Sequence, residues 1–181
     1  MVKKLCMLAA ALVVSASVAA SAEERKDLQV FNDVAKAVNR YVHFTIFDDI
    51  NAGVKDGVVT LTGRVTMPYK RDDIEKRVAK IDGVRQVRDE VQVLPVSQFD
   101  DQLRYRIARS IYGSFNFQPY AFRANPPIHV IVEHGRVTLT GVVNSEVDRM
   151  LARSLATQFG AFSVINNLKT DAEVRETLEK S

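Results

Sequence analysis

A ten-residue pattern that occurs twice in the chain restricts the possible folds more than any other feature. It reads VKDGVVTLTG at residues 54–63 and VEHGRVTLTG at residues 132–141. In each copy a pair that contains glycine, Asp-Gly or His-Gly, separates two runs in which apolar and polar residues alternate. Glycine supplies the positive φ of a tight hairpin turn, and the alternation gives each strand one buried face. Each copy therefore predicts a β-hairpin, and the repetition predicts a tandem duplication of one small domain.

Apolar residues at helical spacing lie on both sides of the first hairpin. A valine at every fourth position predicts a helix over residues 27–42. The hairpin strands are predicted at residues 49–55 and 58–66. A second helix is predicted to begin near Pro68 and to end at Asp82-Gly83, before a third strand. The order helix, strand, strand, helix, strand predicts an α+β fold with the helices packed on one face of a three-stranded sheet.

The second half of the chain repeats this order. In its second helix, Val147, Leu151 and Leu155 form the predicted apolar stripe. The spacing between the copies falls from 78 residues at the hairpins to 77 at Gly83 and Gly160, which predicts a one-residue gap near Asn144. The short junction between the halves predicts that the two domains pack against each other. The predicted parts are a signal peptide at 1–22, domains at 27–95 and 98–170, and a polar tail at 171–181 that forms a short helix capped by Asp171.

The first residues have the features of a secretory signal peptide. Lys3 and Lys4 precede an apolar run, and the run leads to the small residues around Ala22. We predict cleavage after Ala22 and a periplasmic or otherwise exported mature protein; an uncleaved membrane anchor is the alternative. Cys6 is the only cysteine and lies inside this segment, so the mature chain is predicted to contain no disulfide.

Charge and side-chain chemistry exclude several classes of function. The chain has 25 basic and 22 acidic residues, and loss of two lysines with the signal peptide leaves 23 against 22, a net charge of +1. A dedicated nucleic-acid binder would have a strong basic excess. The three histidines lack the spacing of a metal site, and no serine lies in a triad-like context. The adjacent pair Asp48-Asp49 is interpreted as turn and solvent residues, and we predict neither enzymatic activity nor a cofactor.

The repeated motifs resemble the BON domain, a family named for bacterial osmotically inducible and nodulation proteins. The resemblance lies in the G-x-V-T-L-T-G segment that opens the second strand and in the later G-V-x-x-V segment, which reads G-A-x-x-V in the second copy. The glycines of these motifs are Gly57, Gly63, Gly83, Gly135, Gly141 and Gly160. The resemblance implies an envelope protein that binds phospholipid and supports envelope integrity under stress, and it brings no catalytic residues. In a two-domain relative, phospholipid contact is attributed to a helix of the second domain.

One surface of the second copy is the candidate binding site. On its first helix, Tyr105, Arg109 and Tyr112 are predicted to lie opposite the apolar stripe. The loop at 113–127 follows, and it is longer than its counterpart in the first copy. Its candidate residues are Phe115, Phe117, Tyr120, Phe122 and Arg123. Aromatic rings beside arginine suit an anionic phospholipid surface.

Two alternatives remain for this loop. It could instead bind apolar segments of another envelope protein, as a periplasmic chaperone or scaffold does. It could also fold back, so that its aromatic side chains cover the junction between the domains. No nucleic-acid partner is predicted, and the oligomeric state is left open.

Overall fold

The computed structural model describes residues 15–179, which form two units of the predicted α+β architecture. Unit one contains α1 (Ser15–Asn39), β1 (Asp49–Lys55), β2 (Val58–Val65), α2 (Pro68–Val78) and β3 (Gln86–Val93). Unit two contains α3 (Gln98–Gly113), a 3-10 turn (Phe115–Phe117), α4 (Gln118–Ala121), β4 (Ile128–Glu133), β5 (Arg136–Val143), α5 (Glu146–Ala156), a second 3-10 turn (Thr157–Phe159), β6 (Ser163–Asn166) and β7 (Lys169–Thr170). Helix α6 (Asp171–Glu179) follows. The predicted order of elements is confirmed in both halves.

The N-terminal part of the predicted signal peptide, residues 1–14, lies outside the described residues. The described part of helix α1 runs from Ser15 past Ala22, the predicted cleavage position, and the helix ends at Asn39. Within residues 15–179, none of the helices combines the length and the apolar character that a membrane crossing requires.

Both predicted hairpins form, and each turn is fixed by a carboxylate from the first helix of its unit. Asp56 and Gly57 have φ values of 53° and 73°, and His134 and Gly135 have 51° and 72°, as a primed turn requires. In unit one, Asp27 accepts hydrogen bonds from the backbone N–H groups of both turn residues, at 2.7 and 3.0 Å. In unit two, Asp100 accepts the corresponding pair at 2.9 and 2.7 Å.

The third strand of each unit runs parallel to the second strand, so each sheet is mixed. In unit one, β3 pairs with the whole of β2. In unit two the corresponding strand is divided into β6 and β7, which pair with the two ends of β5. A core of buried side chains lies between each sheet and its helices.

Gly63 and Gly141 occupy equivalent places on the second strand of each unit, opposite the start of the first strand, where they pair with Ile50 and Ile128. A Cβ atom on Gly63 would lie 2.0 Å from the carbonyl oxygen of Asp49, and one on Gly141 would lie 1.8 Å from that of Pro127. Both have positive φ, at 120° and 112°. The last glycine of the repeated motif is therefore a steric requirement of the close pairing between the first two strands.

The gap between the two copies lies after α5, so its predicted position near Asn144 is wrong. Helices α2 and α5 each have 11 residues, and their N-caps, Met67 and Ser145, keep the spacing of 78. The missing residue therefore falls in the turn that ends at Gly160, where the spacing becomes 77. Between the hairpin motif and this glycine the two copies share no distinctive residues, so the sequence alone could not place the gap.

Two details of the helices also differ from the prediction. On α5 the fully buried residues are Ala152 and Ala156, whereas Val147 is exposed and Leu151 is half-buried. At α6, Thr170 is the capping residue instead of Asp171. Its hydroxyl accepts from the backbone N–H of Glu173, whose carboxylate accepts in return from the N–H of Thr170, which is a capping box.

The two units pack through the segment that connects α1 to β1. The carbonyl oxygen of Ile46 accepts a hydrogen bond of 2.7 Å from the N–H of Val130, at the outer edge of β4. His129 Nδ1 lies 2.5 Å from the carbonyl oxygen of Asp48, and Phe47 packs against the core of unit two. Unit one thus covers an otherwise open strand edge of unit two.

Candidate functional site

Helix α3 presents Tyr105 and Arg109 to solvent, as its periodicity predicts. The apolar stripe of Leu103, Ile107 and Ile111 is buried in the core of unit two. Tyr105 is 65% exposed, and one edge of its ring contacts Phe47 of unit one, with centroids 5.1 Å apart. Arg109 is exposed one turn further along the helix. This face therefore has an aromatic ring and a cation, adjacent to the junction between the units.

Tyr112 does not belong to the exposed face, because its hydroxyl is bonded to the start of β4. The hydroxyl donates to the carbonyl oxygen of Ile128 at 2.6 Å and accepts from the N–H of Ile128 at 3.0 Å. Burial raises the pKa of Tyr112 above its usual value, although the hydrogen bond to Ile128 acts in the opposite direction. Helical spacing alone placed it on the surface, but the ring packs against the core of unit two.

Two aromatic residues of the candidate loop are buried in the core of unit two. Phe117 and Tyr120 are completely or almost completely inaccessible, within the 3-10 turn and α4. The hydroxyl of Tyr120 accepts from the N–H of Asn144 at 2.7 Å and donates to the carboxylate of Asp148 at 2.8 Å. The pKa of Tyr120 is raised to about 12, mainly by burial and also by Asp148, while the hydrogen bond from Asn144 acts in the opposite direction. These two side chains hold the loop on its own unit and do not cover the interdomain junction.

The other two aromatic residues of the loop point into solvent. Phe115 is 83% exposed and Phe122 is 86% exposed. Arg123 is also exposed, and its guanidinium lies over the ring of Tyr120, 5.3 Å from the centroid. The loop therefore consists of a buried anchor that supports two projecting phenylalanine rings and one arginine. The sequence indicated that the loop is aromatic, but only the packing separates the anchor from the projecting side chains.

A buried ion pair in unit one corresponds to this anchor, and it was not predicted from the sequence. Asp48 is inaccessible and accepts from Lys70 Nζ at 2.6 Å. It also accepts from the backbone N–H and hydroxyl of Thr45 and of Thr66, at distances between 2.7 and 2.9 Å. The interpretation of Asp48 as a solvent residue is wrong. Lys70 lies near the start of a predicted helix, which was the only hint of this ion pair in the sequence. Its position does not indicate which carboxylate it contacts.

The pKa of Asp48 reflects this network. Burial by itself raises the pKa, but the hydrogen bonds from Lys70, Thr66 and Thr45 outweigh burial and bring the pKa below its ordinary value. In unit two the positions of Thr66 and Lys70 are taken by Asn144 and Asp148, which are the two partners of Tyr120. Each unit therefore ties the segment before its sheet to the start of its second helix with a different buried polar group.

A second surface, on the outer face of the sheet of unit two, was also missed. A groove of about 670 Å³ runs across β4, β5 and β6, away from the helices. Its lining includes Ile131, Phe162 and Ile165 together with Arg136 and Arg64. The alternating polar residues of β5 concealed this surface, because the apolar side chains come from the neighbouring strands. Among residues 15–179, no group of three or more His, Cys, Asp or Glu side chains could hold a metal ion.

The fold and its motifs define a protein with two small mixed-sheet α+β units in tandem. The BON domain model matches the chain over residues 27–95 and again over residues 105–172. These spans cover more than half of the chain, which therefore belongs to the BON-domain family. Membership in this family supports an envelope-associated, non-enzymatic protein.

Comparison with solved structures finds distant similarities. One is the C-terminal domain of CdsD, described as the structural protein of the type III secretion system of Chlamydia trachomatis, at 15% identity and a TM-score of 0.32. The match covers 78% of this chain and 65% of that chain, so this chain spans just under two thirds of it. A second CdsD structure matches at 14% identity and a TM-score of 0.28, over 83% of this chain and 97% of that chain. A search of curated proteins gives no significant match.

Proposed function

We propose that this protein is an exported envelope protein that binds anionic phospholipid surfaces weakly and reversibly, and that it supports envelope integrity under stress in this way. The observation that carries the proposal is the exposure of Phe115 and Phe122 on a loop whose neighbouring aromatic residues are buried. A soluble domain gains nothing from two solvated phenylalanine rings, whereas a membrane interface buries them.

The cations of the same region give the surface its preference for anionic lipid. Arg123 follows Phe122 directly, and Arg109 lies on the exposed face of α3 with Tyr105. A guanidinium can bind a phosphate through two hydrogen bonds, and a tyrosine ring suits the headgroup boundary. Because the mature chain is predicted to have a net charge near +1, the attraction comes from this local group of residues.

The expected affinity is modest. Burial of each phenylalanine side chain contributes about 1.5–3 kcal/mol at most, and each arginine near an anionic surface contributes about 1 kcal/mol. The loss of rotational freedom and of loop motion on binding offsets part of this sum. Binding should therefore be reversible, and added salt should weaken it because it screens the arginines.

Vesicle co-sedimentation tests the proposal with the mature chain, from Glu23 onward. We expect binding to vesicles that contain phosphatidylglycerol, and little binding to phosphatidylcholine alone. The variant Phe115→Ala/Phe122→Ala should lose at least about tenfold in affinity, since each truncation removes more than 1 kcal/mol. Val42→Ala changes an exposed apolar residue of unit one, so it serves as the matched control and should bind normally.

The same two rings also favour the second function, binding of apolar segments of other envelope proteins as a chaperone or scaffold. This function requires no cation, so added salt should not weaken it. If the chain bound a reduced, unfolded client protein at high salt, failed to bind either vesicle, and lost client binding in the double phenylalanine variant, the chaperone function would replace the lipid function. Equal vesicle binding by the wild type and the double variant would refute the surface itself.

A further inference from the structure

The outer face of the sheet in unit two exposes apolar side chains beside cations. Phe162 is 78% exposed and Ile165 is 52% exposed. Phe162 stacks on Phe99 of α3, with centroids 6.4 Å apart, so the ring is held in place at the hairpin turn. Arg136 and Arg64 lie along the same groove. The surface is distinct from the aromatic loop, since none of the loop residues lines it.

Unit one shows that the fold does not require apolar residues here. The positions equivalent to Phe162 and Ile165 are Arg85 and Arg88, 77 residues earlier in the chain. The backbone environment is the same, because Arg88 pairs with Thr60 of β2 just as Ile165 pairs with Thr138 of β5. Both arginines are exposed. The apolar character of this face is therefore particular to unit two, and arginine is compatible with both positions.

The apolar residues adjoin an open strand edge. In the described sheet β6 pairs only with β5. The N–H of Asn167 donates to the carbonyl oxygen of Leu139 at 2.8 Å, in register with the pairing of β6 and β5. In a parallel ladder alternate residues bond to the same neighbour, so the N–H and C=O groups of Val164 and Asn166 point to the open edge. Strand β6 carries no charged side chain, whereas the equivalent β3 carries several; charges on an edge strand oppose pairing with other chains.

We infer that β6 binds an extended segment of another protein by strand addition, and that this segment carries apolar side chains and a carboxylate on the face above the groove. The open backbone groups require an extended partner. Phe162 and Ile165 require apolar side chains. Arg136 forms no ion pair within residues 15–179, and Arg64 pairs only with Glu133 of the groove, so the surface is complementary to an acidic residue.

A second copy of the chain fits this edge less well. Pairing of two β6 strands would involve only four residues from each chain, a small area for a stable dimer. It would also bring Arg136 of each copy, which has no acidic partner within residues 15–179, to one interface. A short acidic and apolar strand meets both constraints.

The test uses the mature chain and a set of fluorescent peptides of about nine residues, which is within the usual range of strand lengths and leaves room for the register to vary. The peptides alternate valine, isoleucine or phenylalanine with threonine and carry one glutamate in varied positions. Binding is followed by anisotropy, and amide NMR shifts locate it. We expect saturable binding, with amide shifts at residues 162–166. The affinity should be at least about tenfold lower in the variant Phe162→Arg/Ile165→Arg. This variant carries the residues of unit one and should fold, while Arg85→Ala/Arg88→Ala should bind as the wild type does.

Two modified peptides probe the mode of binding. N-methylation at the pairing positions should abolish binding, and replacement of glutamate by lysine should weaken it severalfold. The inference is overturned by the absence of binding from every peptide at about 1 mM, by equal binding in the arginine variant, or by a dimer of the chain that the same variant dissociates. Vesicle binding should persist in this variant, so failure here leaves the lipid proposal standing, and the reverse also holds.

Discussion

Replacement of Asp48 by asparagine should strongly destabilise the protein. The substitution keeps the size of the side chain but removes the charge that faces Lys70, and both side chains are almost fully buried. Asparagine has a single acceptor oxygen and an NH₂ group that donates. The NH₂ group must therefore face either the donors of Thr66 or those of Thr45 and Lys70, where the carboxylate had placed an acceptor.

The expected loss follows from the burial of the pair. Breaking a buried ion pair by removal of one partner costs about 3–5 kcal/mol, which is a large part of the 5–15 kcal/mol that stabilises a typical domain. For a chain of this size, each kcal/mol shifts the melting temperature by about 2–4 °C, so a decrease of about 6–20 °C is expected. The matched control is Asp33→Asn, because Asp33 pairs with Lys36 and both side chains are more than half exposed. It should cost no more than about 0.5 kcal/mol.

The dependence on pH gives a second, independent result. The pKa of Asp48 is lower in the folded state than in the unfolded state, so the unfolded chain binds the proton more tightly. The stabilisation is complete above the unfolded pKa of about 4 and is lost as the pH falls toward the folded pKa. The difference in unfolding free energy between wild type and Asp48→Asn, measured by urea denaturation, should therefore shrink below about pH 4. A loss below about 1 kcal/mol at neutral pH, or a difference that grows in acid, would refute the reasoning.

Two further predictions concern the packing of unit two. Gly141→Ala should lower the free energy of unfolding, measured by urea denaturation, by at least about 2 kcal/mol, because its Cβ would lie 1.8 Å from the carbonyl oxygen of Pro127. The control Gly113→Ala has no atom within 4 Å of the new Cβ, so it should be neutral or stabilise by up to about 1 kcal/mol. Equal effects of the two substitutions would contradict the steric explanation. Tyr120→Phe leaves the N–H of Asn144 and the carboxylate of Asp148 without their hydroxyl partner, so it should lower the free energy of unfolding by about 1–3 kcal/mol. Vesicle binding should be unchanged when it is measured well below the melting temperature. A loss of vesicle binding by this folded variant would mean that Tyr120 contacts lipid directly.

The candidate site shows how far a periodic pattern determines the placement of side chains. The helical repeat correctly placed Tyr105 and Arg109 outside and Ile107 inside, because the direction of a helical side chain depends on local geometry. The same repeat placed Tyr112 outside, although the hydroxyl of this tyrosine bonds the backbone of Ile128, 16 residues later. A contact between elements that are distant in sequence overrides the local pattern, and one helix by itself contains no sign of it.

The aromatic loop shows the same limit. Its aromatic composition suggested a binding function. The sequence gave no basis, however, for deciding which of the four aromatic residues are buried and which are exposed. Phe117 and Tyr120 are buried because the 3-10 turn and α4 place them over the core, and Phe115 and Phe122 are exposed because they flank these turns. The apolar part of the loop's proposed membrane contact therefore rests on two residues that the tertiary structure selected from the larger predicted set.

The sequence by itself determined the tandem units, the hairpins, the order of elements and the family. These features depend on local rules: alternation along a strand, helical spacing, and the positive φ that Asp-Gly and His-Gly turns adopt. The tertiary structure decided which polar groups are buried, how the 40–48 segment covers the edge of β4, and that Phe162 and Ile165 form an apolar surface where unit one has arginines. Those features depend on contacts across long sequence separations, and the side chains that make them are compatible with several partners until the chain has folded.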